Sequence, residues 1–569
     1  MRQHRVARRQ PRWPGILCGL AWSLALGSLA GVEHFVTNVS QFDAAVAAAQ
    51  PGDSIVLADR VWTNADLLFK KSGTPTQPIT LRAQTPGHVI LSGQARLRIA
   101  GSWLIVDGLR FENGFYTNGG SPVIQFRETS SVLATNCALL NTAIVNYNPP
   151  DLSVDTKWVS IYGLSNRVEN CFFQGKSNIG ATLVVWLPSS PTNLANYHLI
   201  RRNHFGYRPP LGENGGETLR VGDSATSLNI SRTIVEENLF RRYNGEIEIV
   251  SNKSCENIYR YNTFDSCEGT LTLRHGNRCV VEGNWFLGRG LPLTGGVRII
   301  GEDHVVFNNY LADLTGTGLR SAICFVNGVP DSALNEYFQV KRARVLFNTI
   351  VNCVRPFTIG QTVTGGTLPP LDCVAANNLV RAFNAPLVTV VTPPTNFVWQ
   401  SNVFFGASVG VSDPGIVVTN PLLELAPDGL WRPALHSPVR DAGAGGYTWV
   451  VDDGDGQPRD SVPDIGCDEI SDAPVLRRPL TVADVGPLWM RTAGPIRSVT
   501  VLTHAITLAW DAIPGFRYRP WISSNLNVWS PGPAISATGR SVSWTDDGSL
   551  TGGAPVGATA RFYRVSLDP

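Results

Sequence analysis

The sequence predicts an all-β protein: a right-handed parallel β-helix followed by a small C-terminal β-sandwich. Three observations predict it. An irregular motif, apolar-x-x-Asn-x-Phe/Leu, places asparagines at 170, 203, 238, 262, 284 and 309, with later copies at 348, 378 and 402. Between positions 238 and 309 the successive spacings are 24, 22 and 25 residues. A β-rich unit of that size cannot bury its own apolar face, so stacking the units is what creates a core. From residue 496 onward the pattern changes to strict alternation, in 498–502, 505–510 and 541–544, the period of half-buried strands in a sandwich.

The recurring asparagine suits a buried turn, because its amide can bond the backbone of its own coil and the next asparagine along. Leucine-rich repeats would need a regular leucine spacing with helical segments, and a propeller would need longer, more uniform blades. Neither is present.

In chain order, residues 1–30 read as a secretory leader. Arg2, Arg5, Arg8, Arg9 and Arg12 precede the apolar run Ile16–Leu29, and Ser28 and Ala30 supply small residues for cleavage. As a membrane span the run is short. Residues 31–470 are assigned to the β-helix. At its start, Ser40–Ala49 is expected to be a short helix with Ser40 as N-cap, covering the open end of the solenoid. A turn at Pro51–Asp53 then leads into a strand at Ser54–Ala58. The repeat fades after about residue 405. Asp452–Arg459 has the look of a calcium loop but lacks the later bidentate glutamate, so an acidic turn is expected. Residues 471–495 read as a linker rich in Pro, Leu and Arg. Residues 496–569 resemble the fibronectin-type modules appended to secreted bacterial enzymes. Their Trp510, Trp521, Trp529 and Trp544 suit either a core or a sugar-binding face.

The net charge of +2 falls to about −3 without the five leader arginines. Attraction to a polyanion must therefore be local, and nucleic acid is not an expected partner. Nine cysteines remain outside the leader. Cys255, Cys267 and Cys279, twelve residues apart, are expected to be small buried residues in successive coils, with a disulfide as the alternative after export.

The chemistry concentrates in Glu246–Lys253 and Thr272–Asn277. Counted from the repeat asparagines, Glu246 and Glu248 stand in the frame of Thr270 and Thr272 one coil later. This count predicts Thr272 beside Glu248 at roughly 4.8 Å, and Arg274 beside Val250, near the turn that carries Lys253. Arg298 extends the row by one coil. Two outward carboxylates on one strand repel unless a cation lies between them. Calcium, a hard ion that takes several oxygen ligands, meets that need, with Asn214 as a further oxygen donor. The alternative is plain ion pairing of Glu246 and Glu248 with Arg241, Arg242 or Arg274, and a surface role for Lys253.

Three segments, Asn214-Gly-Gly-Glu-Thr-Leu-Arg220, Glu246-Ile-Glu-Ile-Val-Ser-Asn-Lys-Ser254 and Leu273-Arg-His-Gly-Asn277, resemble the signature segments of polysaccharide lyase family 6, which contains alginate lyases and chondroitinase B. The resemblance spans residues 33–470. It implies a parallel β-helix and calcium held by Asn214, Glu246 and Glu248, with Glu217 as a secondary ligand. It further implies Lys253 as base and Arg274 as acid or charge stabiliser. His275, Arg298, Arg320 and Arg220 are candidate holders of substrate carboxylates, since an arginine fork matches a carboxylate. The implied function is that of an exported lyase acting on an anionic polysaccharide, alginate first and dermatan sulfate second. The competing classes are a β-helical glycoside hydrolase, whose acids would have to flank the sugar, and a non-catalytic carbohydrate-binding β-helix.

Overall fold

The structure, a computed structural model, describes residues 31–116, 122–188, 195–212, 214–491, 496–512, 517–526, 528–539, 541–550, 555–556 and 560–568. The expected leader lies outside the described residues. Three long parallel sheets, of 14, 13 and 14 strands, run side by side along residues 33–418. One coil shows the plan: Ile258–Arg260 lies in the first sheet, Thr263–Asp265 in the third and Thr270–His275 in the second. Val280–Glu282 then returns to the first sheet beside Ile258–Arg260. This is the predicted parallel β-helix.

The asparagines lock one coil to the next. Asn203 Nδ2 donates to Asn238 Oδ1 at 2.9 Å, and the same bond links Asn238, Asn262, Asn284, Asn309, Asn348, Asn378 and Asn402 in succession at 2.9–3.0 Å. Each residue just before them sits at positive φ, as at Arg202 (51°), Glu237 (54°) and Tyr261 (56°). That conformation costs a non-glycine residue roughly 1–2 kcal/mol, and the buried amide bonds offset it. Asn170 departs from the expectation. It occupies the positive-φ position (52°), and Cys171 takes the ladder position, its N–H donating to Asn203 Oδ1. Inside the coils Phe173, Phe205, Phe240, Phe264 and Phe286 stack at 4.6–5.3 Å.

The capping helix runs Val39–Ala48, and its N-cap is Asn38, not Ser40. Asn38 accepts from the Gln41 N–H, and the Gln41 side chain accepts from the Thr37 N–H. This pairing sets the N-cap two residues before Ser40. Phe42, Ala45 and Val46 close the end of the core. All nine described cysteines are buried and free.

Residues 471–491 belong to the segment expected as a linker. They run back along the β-helix: the Leu480 N–H donates to Thr263 Oγ1, the Gly486 N–H to the Arg202 carbonyl and Trp489 Nε1 to the Asn141 carbonyl. The tail forms two small antiparallel sheets. Their shared core includes Trp510, Tyr518 and Val542 and packs on Ala143, Val145 and Phe172 of the β-helix. Trp510 is fully buried, so it is a core residue and not a sugar platform. The Asp452–Arg459 run is a turn, closed by Gln457 and Glu469 N–H groups on the Asp453 carboxylate.

If the ladder carries the coil register, Asn262→Ala strands two neighbours' polar groups and lowers stability by about 2–4 kcal/mol. Urea unfolding checks this, and an unchanged midpoint would contradict the assignment.

Candidate active site

The site lies on the outer face of the second sheet, where Leu219–Gly222, Glu248–Lys253, Thr270–His275 and Val297–Ile299 are adjacent. One lateral row carries Arg220, Ser251, Thr272 and Arg298. A second carries Gly222, Lys253 and His275. This register corrects the sequence count: Glu248 pairs with Thr270, and Thr272 lies beside Ser251. The cause is a β-bulge between Glu248 and Val250. Ile249 and Val250 both enter the core, so the strand changes parity and Glu248, Ser251 and Lys253 share the outer face. Arg274 accordingly does not lie beside Val250. Glu246 precedes the strand.

Glu217, Glu246 and Glu248 are near enough for their charges to interact. Glu248 is bonded by Arg298 and Ser251, and Arg274 Nε is 3.8 Å from it. Burial opposes its ionisation, but Arg298 and Lys253 outweigh burial and hold its pKa below the ordinary value. Glu217, almost wholly buried, has Oε1 3.9 Å from Lys253 Nζ and 3.8 Å from Arg220 Nη1. Glu246 has the opposite fate from Glu248: burial, then the charges of Glu217 and Glu248, push its carboxyl up to about 9. Glu217 Oε2 and Glu246 Oε1 are buried without a hydrogen-bond partner. An all-oxygen donor set with orphan carboxylate oxygens and mutual repulsion suits a hard divalent cation. Among the described residues the acids do not converge into a group of three around one point, since Glu248 is already held by Arg298 and Ser251. Asn214 lies in an exposed turn.

Arg274 is boxed in. Nη1 donates to the Glu336 carbonyl at 2.6 Å, Nη2 to the Asn335 carbonyl at 3.1 Å, and the Tyr337 ring lies 3.9 Å from the guanidinium. His275 is buried, and burial together with Arg274 and Lys253 pushes it down to about 2. The neutral ring accepts from Arg274 Nη1 at 3.4 Å on Nδ1 and donates from Nε2 to Ser224 Oγ at 3.4 Å. His275, expected as a candidate holder of a substrate carboxylate, thus contacts Arg274 from a buried position. Arg298, buried against Glu248, is likewise not free to meet a carboxylate. Arg320 ends the short helix Gly318–Arg320, half-buried, with an unpartnered Nε.

Sequence reasoning missed Tyr337 and Arg208. Arg208 is fully buried, and its guanidinium donates to the carbonyls of Asn178, Gly180 and Glu217 at 3.0–3.1 Å, fixing the backbone under Glu217. No spacing rule marks a residue that acts through carbonyls far away in the chain.

The site is thus a group of acids with a lysine and an arginine on the outer face of a parallel β-helix. This chain belongs to the chondroitinase B family, whose model matches residues 36–410. Among solved structures it is similar to the PL6 family alginate lyase AlyGC, at 35% identity over 79% of this chain with a TM-score of 0.68. A variant of AlyGC matches at 34% over 82% of this chain with a TM-score of 0.70. The chain spans only 60% of the length of either AlyGC chain. It is also similar to a mannuronic acid specific polysaccharide family 6 lyase from human gut microbiota. That match has 31% identity over 68% of this chain and 92% of the other, with a TM-score of 0.62. No curated protein matches.

The Arg298–Glu248 pair yields a stability test. Arg298→Met leaves a buried carboxylate uncompensated and costs about 3–5 kcal/mol, most of which the Arg298→Met/Glu248→Leu double variant recovers. Urea denaturation of both variants decides it: equal losses would show the pair to be uncoupled.

Proposed function

We propose that the protein is an exported polysaccharide lyase that cleaves 1,4-linked uronate polymers, alginate first, by β-elimination with Lys253 as the base. The observation that carries this reading is the placement of Lys253 Nζ 3.9 Å from Glu217 and in one row with His275, the partner of Arg274. The alginate lyase named in two of the similar structures supports alginate over dermatan sulfate as substrate.

The proton at C5 of a uronate is weakly acidic because it neighbours the carboxyl group. Lys253 Nζ takes that proton on its lone pair. The C5–H electron pair becomes the C4–C5 double bond, and the C4–O bond breaks with its pair on the departing oxygen. The product is a 4,5-unsaturated sugar, and no water is added. Arg274 keeps its proton, since a guanidinium rarely gives one up. Fixed by the Asn335 and Glu336 carbonyls, it offers positive charge where the departing oxygen develops negative charge. A solvent molecule then supplies the proton.

Calcium is the proposed cofactor: Asn214, Glu246 and Glu248 would hold it, with Glu217 as a secondary ligand. When bound it supplies Lewis-acid neutralisation of the substrate carboxylate. A glycoside hydrolase is disfavoured, because Glu246 and Glu248 lie on the same side of any bound sugar and cannot flank it.

Ultraviolet absorbance of the unsaturated product tests the reading. Lys253→Ala is expected to lower kcat at least about a thousandfold, in line with loss of a general base, while calorimetric calcium affinity stays within about twofold of the parent's, given a retained carboxylate set. Chelation is expected to abolish turnover of alginate and readdition of calcium to restore it. Sustained product growth by Lys253→Ala would remove Lys253 as base. Glu217→Gln is expected to weaken calcium binding by about tenfold or more, the scale of losing one charged ligand.

A further inference from the structure

Resting on that reading, we propose that Arg127, Tyr162, Trp186 and Arg220 form a stacked array that presents two fixed guanidinium forks to the carboxylates of a uronate chain. The array lies on the N-terminal side of Lys253. Arg127 lies 3.7 Å from the Tyr162 ring centre, Tyr162 and Trp186 stack at 6.0 Å with 6° between planes, and Arg220 lies 5.1 Å from the Trp186 ring. The four groups come from successive coils of the sheet that carries the site.

The array is in line with the base. Ile161 pairs with Val185 and Val185 with Val221. The next residues, Tyr162, Trp186 and Gly222, therefore continue into the row of Lys253 and His275. At roughly 4.8 Å per coil, Trp186 lies about two coils from Lys253. Gly222 keeps the gap between them open. Its φ is +93°, and a Cβ there would collide with the Lys253 carbonyl oxygen.

Three other cations on this side are already neutralised. Arg96 and Arg98 pair with Asp66 at 2.6 and 3.2 Å, and Lys70 pairs with Glu128 at 2.6 Å. The Arg127 side chain makes no hydrogen bond or ion pair among the described residues, and Arg220 has only the distant Glu217 contact and an unpartnered Nε. Stacking on a ring fixes a guanidinium plane and leaves its edge donors available. The two faces of the Tyr162–Trp186 pair are covered by arginines, so what the array presents to a polymer is charge in fixed orientation. That suits a chain carrying one carboxylate per sugar.

The test uses the full chain with Lys253→Ala, so that substrate is not turned over. Calorimetric affinity is measured for oligouronates of increasing length. The parent is expected to bind long oligomers more tightly than short ones. Arg127→Ala and Trp186→Ala are expected to reduce that long-to-short ratio about tenfold, the scale of one charged hydrogen-bonded contact. Arg127→Lys is expected to recover little, since an ammonium neither stacks flat nor forks. A ratio unchanged in both alanine variants, or fully restored by Arg127→Lys, overturns the array. No uronate binding at any length by the parent overturns the reading of the site beneath it.

Discussion

Everything at the site depends on the phase of one coil relative to the next. Parallel strands stacked about 4.8 Å apart leave a one-residue slip free to turn every side chain to the other face. The asparagine ladder removes that freedom. Each amide both donates to and accepts from a neighbouring coil, so a slipped coil would leave buried polar groups unpaired at both of its edges. Rigid phase then allows the strand Glu248–Lys253 to contain a bulge without disturbing its neighbours. The bulge is what brings Glu248, Ser251 and Lys253 to the same surface. Without it the alternation from Glu248 would turn Ser251 and Lys253 toward the core.

Behind the surface stands a layer of buried charge. Arg208 binds three carbonyls from below, and Lys176, also fully buried, donates to Asn178 Oδ1 at 2.6 Å. Burial, with Arg208 nearby, holds the Lys176 pKa well below its ordinary value. Both groups hold the backbone at 178–180, against which the Gly215–Glu217 turn stacks through the Gly180 to Gly215 bond. Glu217 is therefore presented by a braced backbone, and its side chain bears the electrostatic load.

The sequence made the architecture legible because the ladder is periodic, and few folds besides a stack of coils place polar residues at a fixed interval inside apolar strands. It also singled out the candidate site residues, since Asn214, Glu217, Glu246, Glu248, Lys253 and Arg274 fall in three short segments. Lateral register was not legible. Counting from Asn238 and Asn262 assumes that each coil uses the same number of residues between turn and strand, and the Glu248–Val250 bulge breaks that assumption. Partnerships were not legible either. Whether Arg298 meets solvent or Glu248 depends on side-chain reach across two coils, and Tyr337 reaches Arg274 from a loop more than sixty residues later.

The two arginines beside Glu248 sit in different surroundings. Arg298 faces a carboxylate across a dry interface, so its charge is spent on keeping Glu248 ionised. Arg274 also leans on Glu248, at 3.8 Å, but its close bonds are to two uncharged carbonyls and a neutral histidine. Carbonyl dipoles orient a guanidinium without cancelling its net charge. Arg274 thus keeps positive potential to offer an incoming anion, while burial lowers its pKa. Stabilising charge needs a fixed cation with field to spare, whereas donating a proton needs a group that can lose one. For the proposed elimination, the setting of Arg274 suits the first requirement, and the guanidinium's intrinsic basicity opposes the second.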